Sequence, residues 1–167
     1  MKHILPILTI TTLAAAASAQ SAAAASGLSY NRVGLGYARS NGLDGYALSA
    51  SALIGSSNFL VSAATTVGGD VGNGTDEVSL GYVFKNVALG ADATLSVGSN
   101  ETYGLNVRKD LGSNIEVAAA YTRVSGSNVW GAELAYNVSK QIQLAIGYAD
   151  SSDFVKGVTS FEARYNF

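Results

Sequence analysis

The chain contains no cysteine, and its only histidine, His3, lies close to the N-terminus. The lack of cysteine excludes a disulfide framework and a cysteine nucleophile. Without a histidine in the body of the chain, a serine nucleophile has no ordinary base and zinc has no usual site. A lysine base remains an alternative, although the lysines fall in or beside predicted turns and loops (Lys85, Lys109, Lys140 and Lys156). We therefore expect a protein that is not an enzyme and that carries no metal and no cofactor.

Charged side chains are also scarce. They make up 13% of the chain, compared with about 25% in an ordinary soluble domain. The formal net charge is −2, which is not the basic footprint of a nucleic-acid-binding protein. We expect no nucleic acid partner.

Long apolar runs are absent apart from one, Ile4–Ala17, which is shorter than the roughly 20 residues of a membrane-spanning helix. Lys2 precedes the run and Ala17-Ser18-Ala19 ends it, and this pattern is typical of a secretory signal peptide. We predict a signal peptide over 1–19, with cleavage at Ala23–Ala25 or an uncleaved anchor as alternatives. A short N-terminal segment, 20–27, then precedes a single domain over 28–167.

The last ten residues, 158–167, indicate the structure of that domain. Every second residue of this stretch is apolar and mostly aromatic, and the residues between are polar (Phe161, Ala163, Tyr165 and Phe167 against Ser160, Glu162, Arg164 and Asn166). A period of two predicts a β-strand. Since the aromatic face is large and uncovered, we expect it to meet lipid.

Nine similar segments precede this strand and are separated by Gly, Asn, Asp and Ser. Their lengths suit a tilted strand that crosses a bilayer, about 9–11 residues. The ten predicted strands are Leu28–Arg39, Tyr46–Ile54, Phe59–Val67, Asp76–Phe84, Val87–Ser96, Thr102–Lys109, Ile115–Val124, Val129–Val138, Ile142–Asp150 and Val158–Phe167.

Strand edges in lipid must be paired, so the predicted sheet must close on itself. We predict an all-β fold, a closed antiparallel up-and-down transmembrane β-barrel of ten strands, with eight strands as the alternative. A soluble lipocalin-like barrel is a further alternative, but its outer face would be charged. In this chain the face opposite the large apolar residues is mostly Gly, Ala, Ser and Thr.

Aromatic residues fall near the predicted strand ends on the lipid-facing side, as the two girdles of a membrane barrel require. The predicted outer girdle consists of Tyr37, Tyr46, Tyr103, Tyr121, Trp130 and Tyr148. The predicted periplasmic girdle consists of Phe59, Tyr82, Phe84, Tyr136, Tyr165 and Phe167.

With its signal peptide, alternating hairpins and terminal Tyr165-Asn166-Phe167, the chain resembles the small bacterial outer-membrane barrels, the OmpA-type transmembrane domain and OmpX-like proteins. The resemblance covers about 28–167 and implies a place in the outer membrane. It implies outer-membrane lipid and the barrel-assembly machinery as partners, with Tyr165 and Phe167 as the assembly signal. The chain departs from the family in its ten strands, its short outer loops and the lack of a peptidoglycan-binding domain.

Eight charged residues have the strand parity that faces the barrel lumen (Arg32, Glu77, Asp92, Arg108, Glu116, Glu133, Glu162 and Arg164). Arg108 and Glu116 flank one turn, and we expect them to pair. We expect Asp92, Glu133 and Glu162 near mid-height, apart from the arginines at the periplasmic end. Either these charges pair and fill the barrel, or they line a narrow water-filled path.

The function that we place first is a narrow porin-like channel for ions or small polar solutes. The alternative is a structural or interaction barrel that stabilises the outer membrane or binds an envelope protein. For a channel, the excess of inward-facing acids predicts a mild cation preference that salt reduces.

Overall fold

The computed structural model describes residues 27–70, 72–152 and 157–167. The predicted signal peptide, 1–19, and all but the last residue of the segment 20–27 lie outside the described residues, so both stay predictions. In the part of the chain that the structure describes, no helix is long and apolar enough to cross a membrane.

The described chain forms ten β-strands. They are β1 (Arg32–Ser40), β2 (Leu43–Leu53), β3 (Phe59–Gly69), β4 (Asn73–Ala88), β5 (Ala91–Gly98), β6 (Thr102–Gly112), β7 (Ile115–Val124), β8 (Ser127–Asn137), β9 (Ile142–Ser151) and β10 (Val158–Asn166).

Each strand pairs in antiparallel fashion with its neighbours along the chain, and β1 also pairs with β10. Arg32 at the start of β1 lies opposite Asn166 at the end of β10. Closure leaves no edge of the sheet unpaired, which in lipid would cost several kcal/mol for each exposed polar group. The predicted closed barrel of ten strands is confirmed, and the alternative of eight strands is wrong.

The turns at both ends of the barrel are short. Asn41 and Gly42 join β1 to β2 with φ angles of 50° and 82°, as in the type I′ turn that matches the twist of a hairpin. We refer to the end where β1 begins and β10 ends as the terminal end, and to the other as the opposite end. The terminal end is the one that we expect on the periplasmic side.

The first strand begins later than predicted, at Arg32 rather than Leu28. Residues 28–31 leave the sheet, and the side chains of Leu28 and Tyr30 are buried in an apolar cluster with residues of β2, β3 and β4. The alternating pattern continues through these residues, but they have no strand beside them with which to pair.

The fourth strand is longer than predicted. It continues through the expected turn at Lys85-Asn86 to Ala88, and the turn is made by Leu89 and Gly90. A register shift accommodates the extra residues, with Asn86 at a φ of 53°. The N–H of Asn86 donates to Asp92 Oδ1 at 2.9 Å, so the side chain of β5 satisfies a backbone group that the bulge leaves unpaired.

Large apolar side chains cover the outside of the barrel on every strand. Leu35 on β1 and Leu134 on β8, for example, are 54% and 51% exposed. Soluble monomers rarely expose a contiguous apolar patch above a few hundred Å², and each such side chain gains about 1.5–3 kcal/mol on leaving water. The exterior is therefore a lipid-facing surface.

The aromatic residues predicted for the two girdles lie on this exterior. Eleven of the twelve are exposed, and Tyr37 is half-buried. At the opposite end the ring centroids of Tyr37 and Tyr46 are 5.3 Å apart. At the terminal end Tyr82 contacts two rings, Phe59 at 5.1 Å and Phe84 at 4.9 Å. Their action as membrane-interface girdles stays a prediction.

Candidate functional site in the barrel lumen

The barrel lumen has two halves of different composition. Every second residue of each strand faces inward, and all eight charged residues predicted to do so are buried (Arg32, Glu77, Asp92, Arg108, Glu116, Glu133, Glu162 and Arg164). Most of these charges lie in the half next to the terminal end, while the other half is lined mainly by small residues. Whether the eight residues line a channel stays a prediction.

Arg164 on β10 is the centre of an ion-pair network in the terminal half. Its Nη1 donates to Glu133 Oε1 on β8 at 2.6 Å, and its Nε donates to Glu162 Oε2 at 2.8 Å. The strand between β8 and β10 presents Ala145 and Gly147 beside these residues, so the longer side chains meet above it. Because the side chain of Arg164 is fully buried, its removal would leave two unpaired carboxylates, which typically costs about 3–5 kcal/mol.

Gln143 on β9 connects this cluster to a second ion pair. Its Oε1 accepts from Arg164 Nη1 at 3.0 Å and from Arg32 Nη1 at 3.3 Å, while its Nε2 donates to Glu116 Oε2 at 3.0 Å. Glu116 Oε1 accepts from Arg108 Nε at 2.6 Å, which confirms the predicted pairing of these two residues. The network joins three guanidinium groups and three glutamates, so its formal charges balance.

Gly34 on β1 makes room for one of these carboxylates. A Cβ at this position would lie 2.2 Å from Glu162 Oε1 and 2.6 Å from Ser49 Oγ. The Ser49 hydroxyl donates to Glu162 Oε1 at 2.9 Å directly over the glycine. The missing side chain therefore allows Glu162 to accept from Ser49 and Arg164 together.

Residues 28–31 lie inside the terminal half beside the network, and we name them the N-terminal plug. Leu28 and Tyr30 are only 4% and 2% exposed. They form an apolar cluster with three residues of β2, β3 and β4 (Leu53, Leu60 and Val83). The plug thus covers the side of the lumen that is lined by β2, β3 and β4.

Polar contacts attach the N-terminal plug to the far wall of the barrel. The Tyr30 hydroxyl donates to Asp92 on β5, and Arg108 Nη1 on β6 donates to the carbonyl oxygen of Ser29 at 3.0 Å. The guanidinium carbon of Arg108 lies 4.9 Å from the centroid of the Tyr30 ring, within cation–π range. Burial raises the pKa of the Tyr30 phenol well above its ordinary value, so the hydroxyl remains a donor.

The opposite half of the lumen is lined by small uncharged side chains. A small cavity, with about 30 Å³ open to water, lies between β6 and β10, and its walls include Ala118, Ala120, Thr122, Gly131, Gly147 and Ala149, together with Glu133 of the ion-pair network. Asn106, also in this wall, is 5% exposed, and neither atom of its amide has a hydrogen-bond partner. Glu77 on β4 is a further buried carboxylate of this half.

Three acids differ from their expected positions. Asp92, expected near mid-height, lies at the terminal end, where it accepts hydrogen bonds from Asn86 N–H and the Tyr30 hydroxyl. Glu133 and Glu162, expected apart from the arginines, both pair with Arg164. The expectation of a mid-height group of acids separated from the arginines is therefore wrong.

The N-terminal plug, Gln143 and Asn106 were not predicted. Leu28 and Tyr30 share the strand parity of the inward-facing Arg32, and two bulky side chains on an otherwise small-residue face were the available signal. Gln143 and Asn106 are uncharged, so a search for inward-facing charges does not select them.

No family model and no curated protein sequence matches this chain. Among solved structures it is similar to the KdgM porin, with a TM-score of 0.52 and 16% identity over 81% of this chain and 99% of that chain. A complex of the KdgM porin with disordered oligogalacturonate matches with the same values. Outer membrane protein Omp33 of Acinetobacter baumannii has a TM-score of 0.38 and 10% identity, over 81% of this chain and 97% of that chain. The likeness to the KdgM porin and the lipid-facing exterior together identify the fold as that of a bacterial outer-membrane β-barrel.

Proposed function

We propose that this barrel is a narrow channel of the outer membrane for small polar solutes and ions. The observation that supports this function best is the opposite half of the lumen, where mostly small uncharged side chains surround a cavity with about 30 Å³ open to water. A barrel with only a structural role would be more stable with this space filled, because protein interiors favour close packing. Small inward-facing residues instead leave room for water.

The charges of the lumen favour small neutral solutes and cations over polyanions. Arg108 and Arg164 are both engaged in ion pairs of 2.8 Å or less, whereas recognition of an acidic chain requires cations that are available to it. The KdgM porin has been seen with oligogalacturonate, and we do not expect this chain to share that ligand class. The unpaired amide of Asn106 offers one donor group and one acceptor to a hydroxylated or amide solute.

The experiment is single-channel recording of the purified barrel in planar bilayers. We expect conductance steps above those of a detergent blank. Two neighbouring residues of β7 provide a matched pair of variants, since Ala120 lines the cavity and Ala119 is exposed on the outside. Ala120→Phe should lower the step and Ala119→Phe should leave it unchanged. Steps equal to the blank, or equal effects of the two variants, would reject the channel.

The second candidate function is a structural barrel, and the closure of the terminal half favours it. The arginine network and the N-terminal plug together occupy that half, and a permanently filled lumen conducts nothing. For this function Ala120→Phe should change neither conductance nor the integrity of the envelope. Loss of envelope integrity on deletion of the gene, without any conductance of the purified barrel, would support it.

A further inference from the structure

We infer that the N-terminal plug is a gate, which Tyr30 holds shut across the terminal end of the lumen and which moves out to open it. This inference rests on the proposed channel function. The plug packs against β2, β3 and β4 beside the arginine network, so its departure opens that side of the terminal half.

The plug is attached by side chains more than by strand pairing. Residues 28–31 belong to no strand, and their backbone contact with the sheet is at the base, where Phe167 N–H donates to the carbonyl oxygen of Asn31 at 2.9 Å. Farther along, Tyr30 and the carbonyl of Ser29 make the contacts with Asp92 and Arg108. Release therefore breaks these contacts and the apolar cluster without opening the barrel wall.

The groups beneath the plug keep protein partners when it leaves. Asp92 still accepts from Asn86 N–H, and Arg108 still pairs with Glu116 at 2.6 Å. A buried charge that loses its only partner makes an opening motion costly, and neither of these charges is left in that state. Water replaces the Tyr30 hydroxyl and the Ser29 carbonyl, so the vacated space has Asp92 and Arg108 on one side and the apolar residues Leu53, Leu60 and Val83 on the other.

Gly27, which directly precedes the plug, provides a site for a covalent cross-link. A Cβ added at Gly27 would lie 3.8 Å from the Cβ of Asp110 on β6, which is the separation found in disulfides. The chain has no cysteine, so Gly27→Cys with Asp110→Cys introduces one possible bond. The φ of Gly27 is +71°, where a side chain is somewhat strained, and for this reason each single cysteine variant serves as a control.

The test compares the oxidised and reduced forms of this double variant in planar bilayers. We expect the disulfide to form under mild oxidation, the oxidised barrel to conduct no more than the blank, and reductant to restore the steps. The single cysteine variants should respond to neither reagent. Tyr30→Phe, which removes only the hydroxyl, should raise the open fraction by about tenfold, as expected for one hydrogen bond to a charged group.

Three outcomes would overturn the gate, and they separate it from the channel. Failure of the cysteines to cross-link would show that the plug does not rest against β6. Equal conductance of the oxidised and reduced forms would show that solutes pass without movement of the plug, and the channel itself would stand. If neither the reduced form nor a Leu28→Ser, Tyr30→Ser variant conducts above the blank, the channel fails and the gate fails with it.

Discussion

In the terminal half of the lumen, Arg164 has no exposed side-chain surface and is enclosed by two glutamates, whereas in the opposite half Gly131 and Ala149 border open space. Both halves belong to the same strands, so backbone pairing is common to them and the inward-facing side chains make the difference. The terminal half is specified by groups that depend on one another, and a single change there leaves charges unpaired. The opposite half depends on the small size of its inward-facing side chains. We expect larger side chains there to change the free energy of unfolding little and to lower the conductance.

The largest expected effect is that of Arg164→Met. It leaves Glu133 and Glu162 buried without their cation, and we expect a loss of about 3–5 kcal/mol in the free energy of unfolding. This loss is measured by denaturant unfolding in lipid vesicles, with the fluorescence of the single tryptophan, Trp130, as the signal.

Two variants serve as controls for this effect. Arg123→Met changes an exposed arginine of the outer surface and should cost less than about 0.5 kcal/mol. The triple change Arg164→Met, Glu133→Gln, Glu162→Gln removes the unpaired charges and should recover much of the loss. A cost for Arg164→Met as small as that for Arg123→Met would mean that the network contributes little.

A smaller effect is expected from Gly34→Ala. The new methyl group would lie 2.2 Å from Glu162 Oε1, and overpacking of this kind typically costs about 1–3 kcal/mol. Combination with Glu162→Ala removes the nearer of the two atoms in conflict and leaves Ser49 Oγ at 2.6 Å, so a double-mutant cycle should show coupling between positions 34 and 162. Additive costs within experimental error would show that the carboxylate moves aside freely.

Ala120→Leu should change stability least among these three variants. The side chain enters the cavity of the opposite half, where there is room for it, and we expect less than about 0.5 kcal/mol of change in the free energy of unfolding. Denaturant unfolding in lipid vesicles measures this change as well. If Ala120→Leu destabilised as much as Gly34→Ala, the contrast between the two halves would not hold.

The smallest expected effect concerns ion selectivity. Glu77 is a buried carboxylate of the opposite half, distinct from the three glutamates that pair with Arg108 and Arg164, and its charge should give the channel a mild preference for cations. Glu77→Gln should lower the cation-to-anion permeability ratio, measured from reversal potentials in a salt gradient, and higher salt should reduce the difference. Asp76→Asn, on the exposed neighbouring residue, is the control and should change nothing. A ratio that Glu77→Gln leaves unchanged would exclude Glu77 from the path.

Strand alternation was sufficient to predict most of the fold, because the period of two determines which residues face lipid once the sheet is closed. The pairing of Arg108 with Glu116 was predictable since both residues lie close to the same tight turn. The position of the turn after β4 was not predictable from the sequence. Lys85-Asn86 has suitable turn chemistry, but the bulge at Asn86 and the turn at Leu89-Gly90 depend on Asp92, which lies on the next strand.

The contacts inside the lumen were less predictable, because they join strands that are not adjacent. Arg164 reaches Glu133 across β9 only because Ala145 and Gly147 are small. Tyr30 reaches Asp92 across the full width of the barrel. Parity along a strand specifies that a side chain faces inward, whereas its partner depends on the curvature of the closed sheet, and no local pattern contains that information.

The seam between β1 and β10 imposes an order on folding. Hairpins such as β7–β8 join residues that are close along the chain and form early, while the seam pairs Arg32 with Asn166 across nearly the whole domain, so its loop-closure entropy is the largest. Arg164 belongs to β10, and the base of the N-terminal plug is bound by Phe167. The ion-pair network and the seated plug are therefore products of the closing step, and a chain arrested before that step retains two unpaired edges and a lumen still open to water.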